Sequence, residues 1–147
     1  MKKLLFIIPL GLSLTAISCS SNAEKTTSQE EIVETTIQQA ETINEDVGVN
    51  KFAELIAKGD GQILDVRTPE EWTTGTIKDA TKMNFFDKDF DQQLERLDKI
   101  KPVYVYCKAG GRSGKAAKKL EKMGFITVYN LLGGMSAWNT AGKETVK

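Results

Sequence analysis

From Val47 onward, hydrophobic positions alternate between short apolar runs and stretches of helical period, the signature of an α/β fold around a mostly parallel sheet. Five strands are predicted, at Val47 to Val49, Gln62 to Val66, Lys82 to Phe85, Val103 to Cys107 and Thr127 to Leu131. Helical segments lie between them. The first is capped by Asn50 and turns Phe52, Leu55 and Ile56 inward. The next is opened by Thr68-Pro69-Glu70-Glu71, which joins a capping box to a proline at the first helical position. A third carries Phe86, Phe90, Leu94 and Leu97 at helical spacing. A fourth runs from Ser113 to Met123 with Ala116, Ala117, Leu120 and Met123 on one face, and Gly124 ends it. Gly133-Gly134 then turns the chain into a short last helix around Met135 to Trp138. These apolar stripes read as core.

The first 46 residues follow another pattern. Met1-Lys2-Lys3 is a positive start, Leu4 to Ile17 is an apolar run, and small residues surround Cys19, which is the layout of a secretory signal. The run is broken by Pro9 and Gly11 and is shorter than the roughly 20 residues a helix needs to cross a bilayer. Ala16-Ile17-Ser18-Cys19 resembles the lipobox of bacterial lipoproteins. That resemblance implies removal of residues 1–18, acylation of Cys19, and a mature chain tethered to a bacterial cell membrane on its periplasmic or cell-surface side. Ordinary cleavage after Ser21-Asn22-Ala23, with loss of Cys19, is the alternative. Residues 20–46 are rich in Ser, Thr, Gln and Glu and hold no aromatic residue, so they read as a tether. Within them Ser28 and Glu31 form a capping-box pattern, and Ile32, Val33, Ile37, Ala40 and Ile43 recur at near-helical spacing, which allows a helix over residues 29–44. The expected organisation is a signal at 1–18, an acylated cysteine and polar linker at 19–46, and one domain at 47–147.

Composition narrows the chemistry. The chain has 147 residues, 40% apolar and 27% charged, enough for one domain with a real core. It contains no His and two Cys, so a Ser-His-Asp triad, a Cys-His dyad and histidine-containing zinc sites are excluded. The net charge of zero conceals an asymmetry: residues 24–46 carry seven acids and one Lys, whereas residues 47–147 carry 17 bases and 13 acids. Lys108, Arg112, Lys115, Lys118, Lys119 and Lys122 face a single acid, Glu121, within fifteen residues, so positive potential gathers there and would draw a small anion. A solvated Lys-rich helix face is the plainer reading of the same charges. Nucleic acid is disfavoured, since no aromatic residues are interleaved with these bases.

The informative stretch is Tyr104-Val105-Tyr106-Cys107-Lys108-Ala109-Gly110-Gly111-Arg112-Ser113-Gly114. A buried strand delivers one Cys to its carboxyl end, a short Gly-rich loop follows, and a helix begins at once. In open α/β sheets ligands bind at that edge, and the amides of a tight loop plus a helix amino terminus make an anion cradle. Gly110 and Gly111 permit positive φ and close backbone approach, while Arg112 can fold back as a bidentate clamp for an oxyanion. Such surroundings lower a cysteine pKa and favour the nucleophilic thiolate. A structural Cys ending a core strand is the competing reading. Against it, once Cys19 is acylated or removed, Cys107 has no partner in its own chain although an exported protein meets an oxidising compartment.

Several separate stretches resemble the rhodanese-like (sulfurtransferase) domain, and together they span most of residues 47–147. Leu64-Asp65-Val66-Arg67-Thr68-Pro69-Glu70-Glu71-Trp72 resembles the first signature, Gly75-Thr76-Ile77-Lys78-Asp79-Ala80 the next turn, and Leu131-Leu132-Gly133-Gly134-Met135-Ser136-Ala137-Trp138 the closing one. The central match is the loop from Cys107 to Arg112. Thr76 stands where these domains usually carry His, and Lys78-Asp79 where Pro-Gly is usual. The resemblance implies a single domain with a five-stranded, mostly parallel sheet and helices on both faces.

It also implies double displacement through a persulfide on Cys107. Sulfur would come from a small anionic donor such as thiosulfate and pass to a thiol or protein acceptor, with cyanide serving in the test tube. The amides of Lys108, Ala109, Gly110, Gly111 and Arg112 would hold the persulfide sulfur, and the Lys108 and Arg112 side chains would orient the donor. No metal or organic cofactor is implied, and nothing in the sequence demands more than a monomer. Four residues separate Cys107 from Arg112, as in sulfur-transferring rhodaneses. The related dual-specificity phosphatases and arsenate reductases use five, which makes phosphate or arsenate chemistry the weaker enzyme reading. A binding or sulfur-carrier module with little turnover is the other alternative. Asp65 and Arg67 are expected as a structural ion pair, Trp72 and Trp138 as packing residues, and Ser113 as a helix cap or loop hydrogen-bonder.

Overall fold

Five parallel strands form one sheet in the order β1-β5-β4-β2-β3: β1 Ile43–Val47, β2 Gln62–Asp65, β3 Thr81–Lys82, β4 Val103–Tyr106 and β5 Thr127–Leu131. Among the described residues five helices connect or follow them: α1 Val49–Ile56, α2 Pro69–Trp72, α3 Phe90–Leu94, α4 Gly111–Lys122 and α5 Gly134–Thr140. The structure is a computed structural model and describes residues 42–147. Cys19, the signal segment and the tether up to residue 41 lie outside the described residues.

The central strand β4 sorts the core by its two-residue period. Val103, Val105 and, just past the strand, Cys107 face one side with Phe90, Leu94, Ala116, Ala117 and Leu120, so α3 and α4 cover that face. Tyr104 and Tyr106 face the other, with Phe52, Leu55, Met135 and Trp138 from α1 and α5. Helices therefore lie on both faces, and the buried strand reads as an unbroken apolar run, as parallel sheets require. Phe52 packs edge-on against Tyr104 and Trp138, with ring centroids 6.1 and 6.2 Å apart.

The interior strands fall where the apolar runs predicted them, and the edges do not. Edge strand β1 spans Ile43–Val47, so Ile43 to Asp46, expected in the linker and partly in a helix, belong to the sheet, and the expected strand at Val47 to Val49 is corrected. Only Val47 of β1 is buried. The other four residues face solvent and are held by backbone pairing to β5, which leaves no hydrophobic pattern to read. Val49 already starts α1, whose N-cap is Gly48 and not Asn50. At the opposite edge β3 is the two residues Thr81–Lys82, shorter than the expected Lys82 to Phe85. The chain leaves the sheet at Asn84, whose carboxamide donates to Asp87 at 2.7 Å and accepts from the Phe86 amide at 3.1 Å. That side chain-to-backbone turn also takes Phe86 out of the helix predicted for it and leaves it two-thirds exposed.

The loop after α2 is pinned by backbone hydrogen bonds and carries one residue of positive φ. Thr76 exchanges both backbone hydrogen bonds with Val146, at 2.8 and 2.9 Å, tying the carboxyl-terminal residues to the sheet end. Asp79 adopts φ of 62°, alone among the described non-glycine residues, at the place where the resemblance calls for glycine.

Candidate active site

Cys107 follows β4 directly, at the carboxyl edge of the sheet, and exposes 1% of its surface. The chain then turns through Lys108, Ala109 and Gly110, and Gly110 takes φ of 93° as N-cap of α4. This left-handed glycine aims its own N–H back at the Cys107 Sγ, 3.1 Å away. The helix therefore starts at Gly111, two residues before the expected Ser113, and Gly114 N–H closes its first turn on the Gly110 carbonyl at 2.9 Å. Ser113 sits fully buried beneath the loop. Its hydroxyl lies 3.4 Å from Sγ and 3.1 Å from the Gly110 carbonyl oxygen, and its one proton can serve either acceptor.

A second helix end braces the loop from behind. At the start of α5, Met135 N–H donates to the Cys107 carbonyl at 2.8 Å and Ser136 N–H to the Lys108 carbonyl at 3.0 Å. With these carbonyls held outward, the following amides are left to turn toward sulfur. The approach is too close for a side chain: a Cβ on Gly134 would strike the Cys107 carbonyl and lie 2.8 Å from the Lys108 carbonyl carbon. This is the physical content of the Gly133-Gly134 turn noticed in the sequence.

The electrostatic outcome is an activated thiol. Burial pushes the Cys107 pKa up, but the hydroxyl and amide of Ser113 and the amides of Ala109 and Gly110 outweigh it, and the thiol is more acidic than an ordinary cysteine. Of the expected cradle, Ala109 and Gly110 thus act on the sulfur through their amides. Ser113, expected as a helix cap or a loop hydrogen-bonder, takes the second role and also acts on the sulfur. Lys108 places its side chain in solvent at the mouth, and Gly111 is exposed at the helix start.

Arg112 differs from the expected free clamp. Its two terminal nitrogens donate to the two carboxylate oxygens of Glu71, both at 2.7 Å. Two of five guanidinium N–H bonds are thereby used, which leaves others for the sulfur side. The hydrogen bonds that Arg112 donates to Glu71 outweigh partial burial and, with the nearby Cys107 charge, hold Arg112 firmly protonated. In return Arg112 holds the Glu71 carboxyl down at about 2. The sequence offered no sign of this pairing, because Glu71 already had a local role: its Oε2 accepts from the Thr68 amide at 2.9 Å in the capping box of α2. The Phe86 ring lies under the Arg112 guanidinium, 5.6 Å from its centre.

Asp65 and Arg67 form the expected structural pair. Arg67 donates to both Asp65 oxygens at 2.7 to 3.0 Å and to the carbonyls of Glu71 and Gly75, and lies over the Tyr106 ring. It thus ties β2, α2 and the Thr76 loop together. Trp138 packs in the core and donates to the Glu144 carbonyl, whereas the buried Trp72 indole N–H meets no partner among the described residues. A groove of about 470 Å³ between α4 and the β1–β5 edge touches the back of the loop at Ala109 and Gly110, but Cys107 is not among its walls.

Residues 48–141 match the rhodanese-like domain family. The chain belongs to that family. A rhodanese-like domain protein of Staphylococcus aureus superposes with a TM-score of 0.59 at 30% identity, covering 70% of this chain and 99% of that one. A thiosulfate sulfurtransferase GlpE of Coxiella burnetii is 36% identical over 85 residues, 58% of this chain and 78% of the relative. A tRNA uridine(34) hydroxylase of Pelagibacter ubique is 37% identical over 130 residues, 88% of this chain, yet the chain spans 36% of that relative's length. As a rhodanese-like domain, the protein has its Cys107 loop and both flanking signatures inside the matched residues.

Proposed function

We propose that this protein is a sulfurtransferase that moves sulfane sulfur through a Cys107 persulfide. The observation that carries the reading is the Gly110 amide, 3.1 Å from Sγ, in a loop whose other donors also lower the thiol pKa. The Cys107 thiolate attacks the outer sulfur of a donor such as thiosulfate, a new S–S bond forms, and sulfite leaves with the electrons of the old one. The terminal persulfide sulfur takes up the negative charge, and the Ala109, Gly110 and Ser113 amides stabilise it there. An acceptor thiolate or cyanide then removes that sulfur and restores the Cys107 thiolate. The near-complete burial of Cys107 suits delivery of a single sulfur atom better than hydrolysis of a bulky ester. Acylation at Cys19, with the domain tethered to a membrane surface, completes the proposal.

The test is thiocyanate formation from thiosulfate and cyanide by the full chain and by Cys107→Ser, with intact mass recorded after thiosulfate alone. Turnover and a one-sulfur mass gain, both absent in the variant, are expected. No mass gain in the unaltered chain would overturn the reading.

A further inference from the structure

One exposed aromatic on a protein surface calls for no explanation. Phe86 differs in two respects. It is 66% exposed, yet it is pinned: Asn84 locks its turn through Asp87 and the Phe86 amide, and Phe85 packs edge-on at 5.7 Å. Its ring also lies against Arg112, the last residue of the Cys107 loop, which feels the thiolate as well as Glu71. A rigid aromatic face therefore stands at the rim of the site and loses little freedom when something covers it. The charge at that rim has been reduced, because Glu71 takes up the positive charge of Arg112 in a two-bonded pair. A bare dianion finds less attraction there than the run of bases in the sequence suggests, whereas a singly charged donor with an apolar body gains contact with the ring.

We propose that Phe86 determines donor specificity by seating the organic body of a monoanionic sulfane-sulfur carrier, of the type R–SO2–S⁻ or R–S–S⁻, beside the Cys107 loop. The proposal rests on the sulfur-transfer reading. With R–SO2–S⁻, the Cys107 thiolate bonds to the terminal sulfur as the bond from that sulfur to the sulfonyl breaks. The sulfinate R–SO2⁻ leaves with the electron pair, and neither a proton nor an outside oxidant is consumed.

The probes are benzenethiosulfonate and inorganic thiosulfate, each with cyanide as acceptor, and the readout is the ratio of the two kcat/KM values. The full chain is expected to favour the aryl donor. Phe86→Ala should lower the ratio about tenfold, the size of one rim aromatic contact, and Phe86→Tyr should retain it. A ratio unchanged in Phe86→Ala, even with both rates reduced, would overturn the proposal and assign the ring to bracing Arg112. If the unaltered chain takes sulfur from neither donor, the sulfur-transfer reading fails first and this proposal with it.

Discussion

Arg67 with Asp65 and Arg112 with Glu71 make ion pairs of the same length, 2.7 Å, and both arginines bond to Glu71 of the short helix α2, one through its backbone and one through its carboxylate. Their surroundings differ. The Arg67 and Asp65 side chains are 3% and 0% exposed, while those of Arg112 and Glu71 are 19% and 22% exposed. In the first pair each charge is committed to the fold: Arg67 also donates to the Glu71 and Gly75 carbonyls, and Asp65 also accepts from the Arg67 amide. The second pair takes up two N–H groups of Arg112, and the guanidinium still interacts with the Cys107 thiolate. Equal geometry thus serves opposite ends, and burial decides which. A charge sealed from water must be fully satisfied and becomes scaffold, whereas one at a rim can be half-satisfied and stay available to a ligand.

Breaking the buried pair gives the largest expected effect. Asp65→Ala leaves the Arg67 guanidinium buried without its counter-charge and should lower stability by about 3–5 kcal/mol in urea unfolding. A loss of about 1–2 kcal/mol or less would show that burial does not set the two pairs apart.

The rim pair should respond less in stability and more in chemistry. Glu71→Gln is expected to cost about 1–2 kcal/mol, since it weakens both the α2 cap and the ion pair. It should also move the alkylation midpoint of Cys107 to lower pH, because a released Arg112 adds positive potential at the thiolate. The pH dependence of stability sharpens the same point. The Glu71 carboxyl is depressed to about 2 in the folded chain from an ordinary 4.5, so its stabilisation is complete above about 4.5 and is lost as pH falls toward 2. The unaltered chain should therefore lose stability across that window more steeply than Glu71→Gln. Equal slopes would mean the pair contributes nothing.

Lys119 with Asp91 completes the series at the exposed end, again at 2.7 Å but with side chains 42% and 62% exposed. Asp91→Asn should change stability by no more than ~0.5 kcal/mol and leave thiocyanate formation intact. A larger change would undo burial as the ordering principle.

Much of this molecule was legible in its residue pattern. The runs at Gln62, Val103 and Thr127 became β2, β4 and β5 because both faces of an inner parallel strand must be apolar. The Cys107 loop was legible too, since a reactive cysteine, glycines and an arginine at fixed spacing are local facts of the chain. The edges escaped: β1 pairs through its backbone and buries Val47 alone, with Asn44 and Asp46 adding polar side-chain bonds to Glu121 and Asn130, and β3 pairs over two residues, so neither shows an apolar run. Phe86 matched a helical period and was claimed instead by the carboxamide of Asn84 two residues earlier.

What the sequence determined by itself is therefore the class of fold, the strand that carries Cys107 and the local means of acidifying its thiol, because each rests on neighbours in the chain. Tertiary structure alone decided that Glu71, 41 residues before Arg112, would take that guanidinium, that α5 would hold the loop's carbonyls outward, and that Phe86 would stand at the rim. Those contacts join residues whose own segments give no reason to meet. Only the closing of the sheet, with α2, α4 and α5 gathered at its carboxyl edge, brings them within reach.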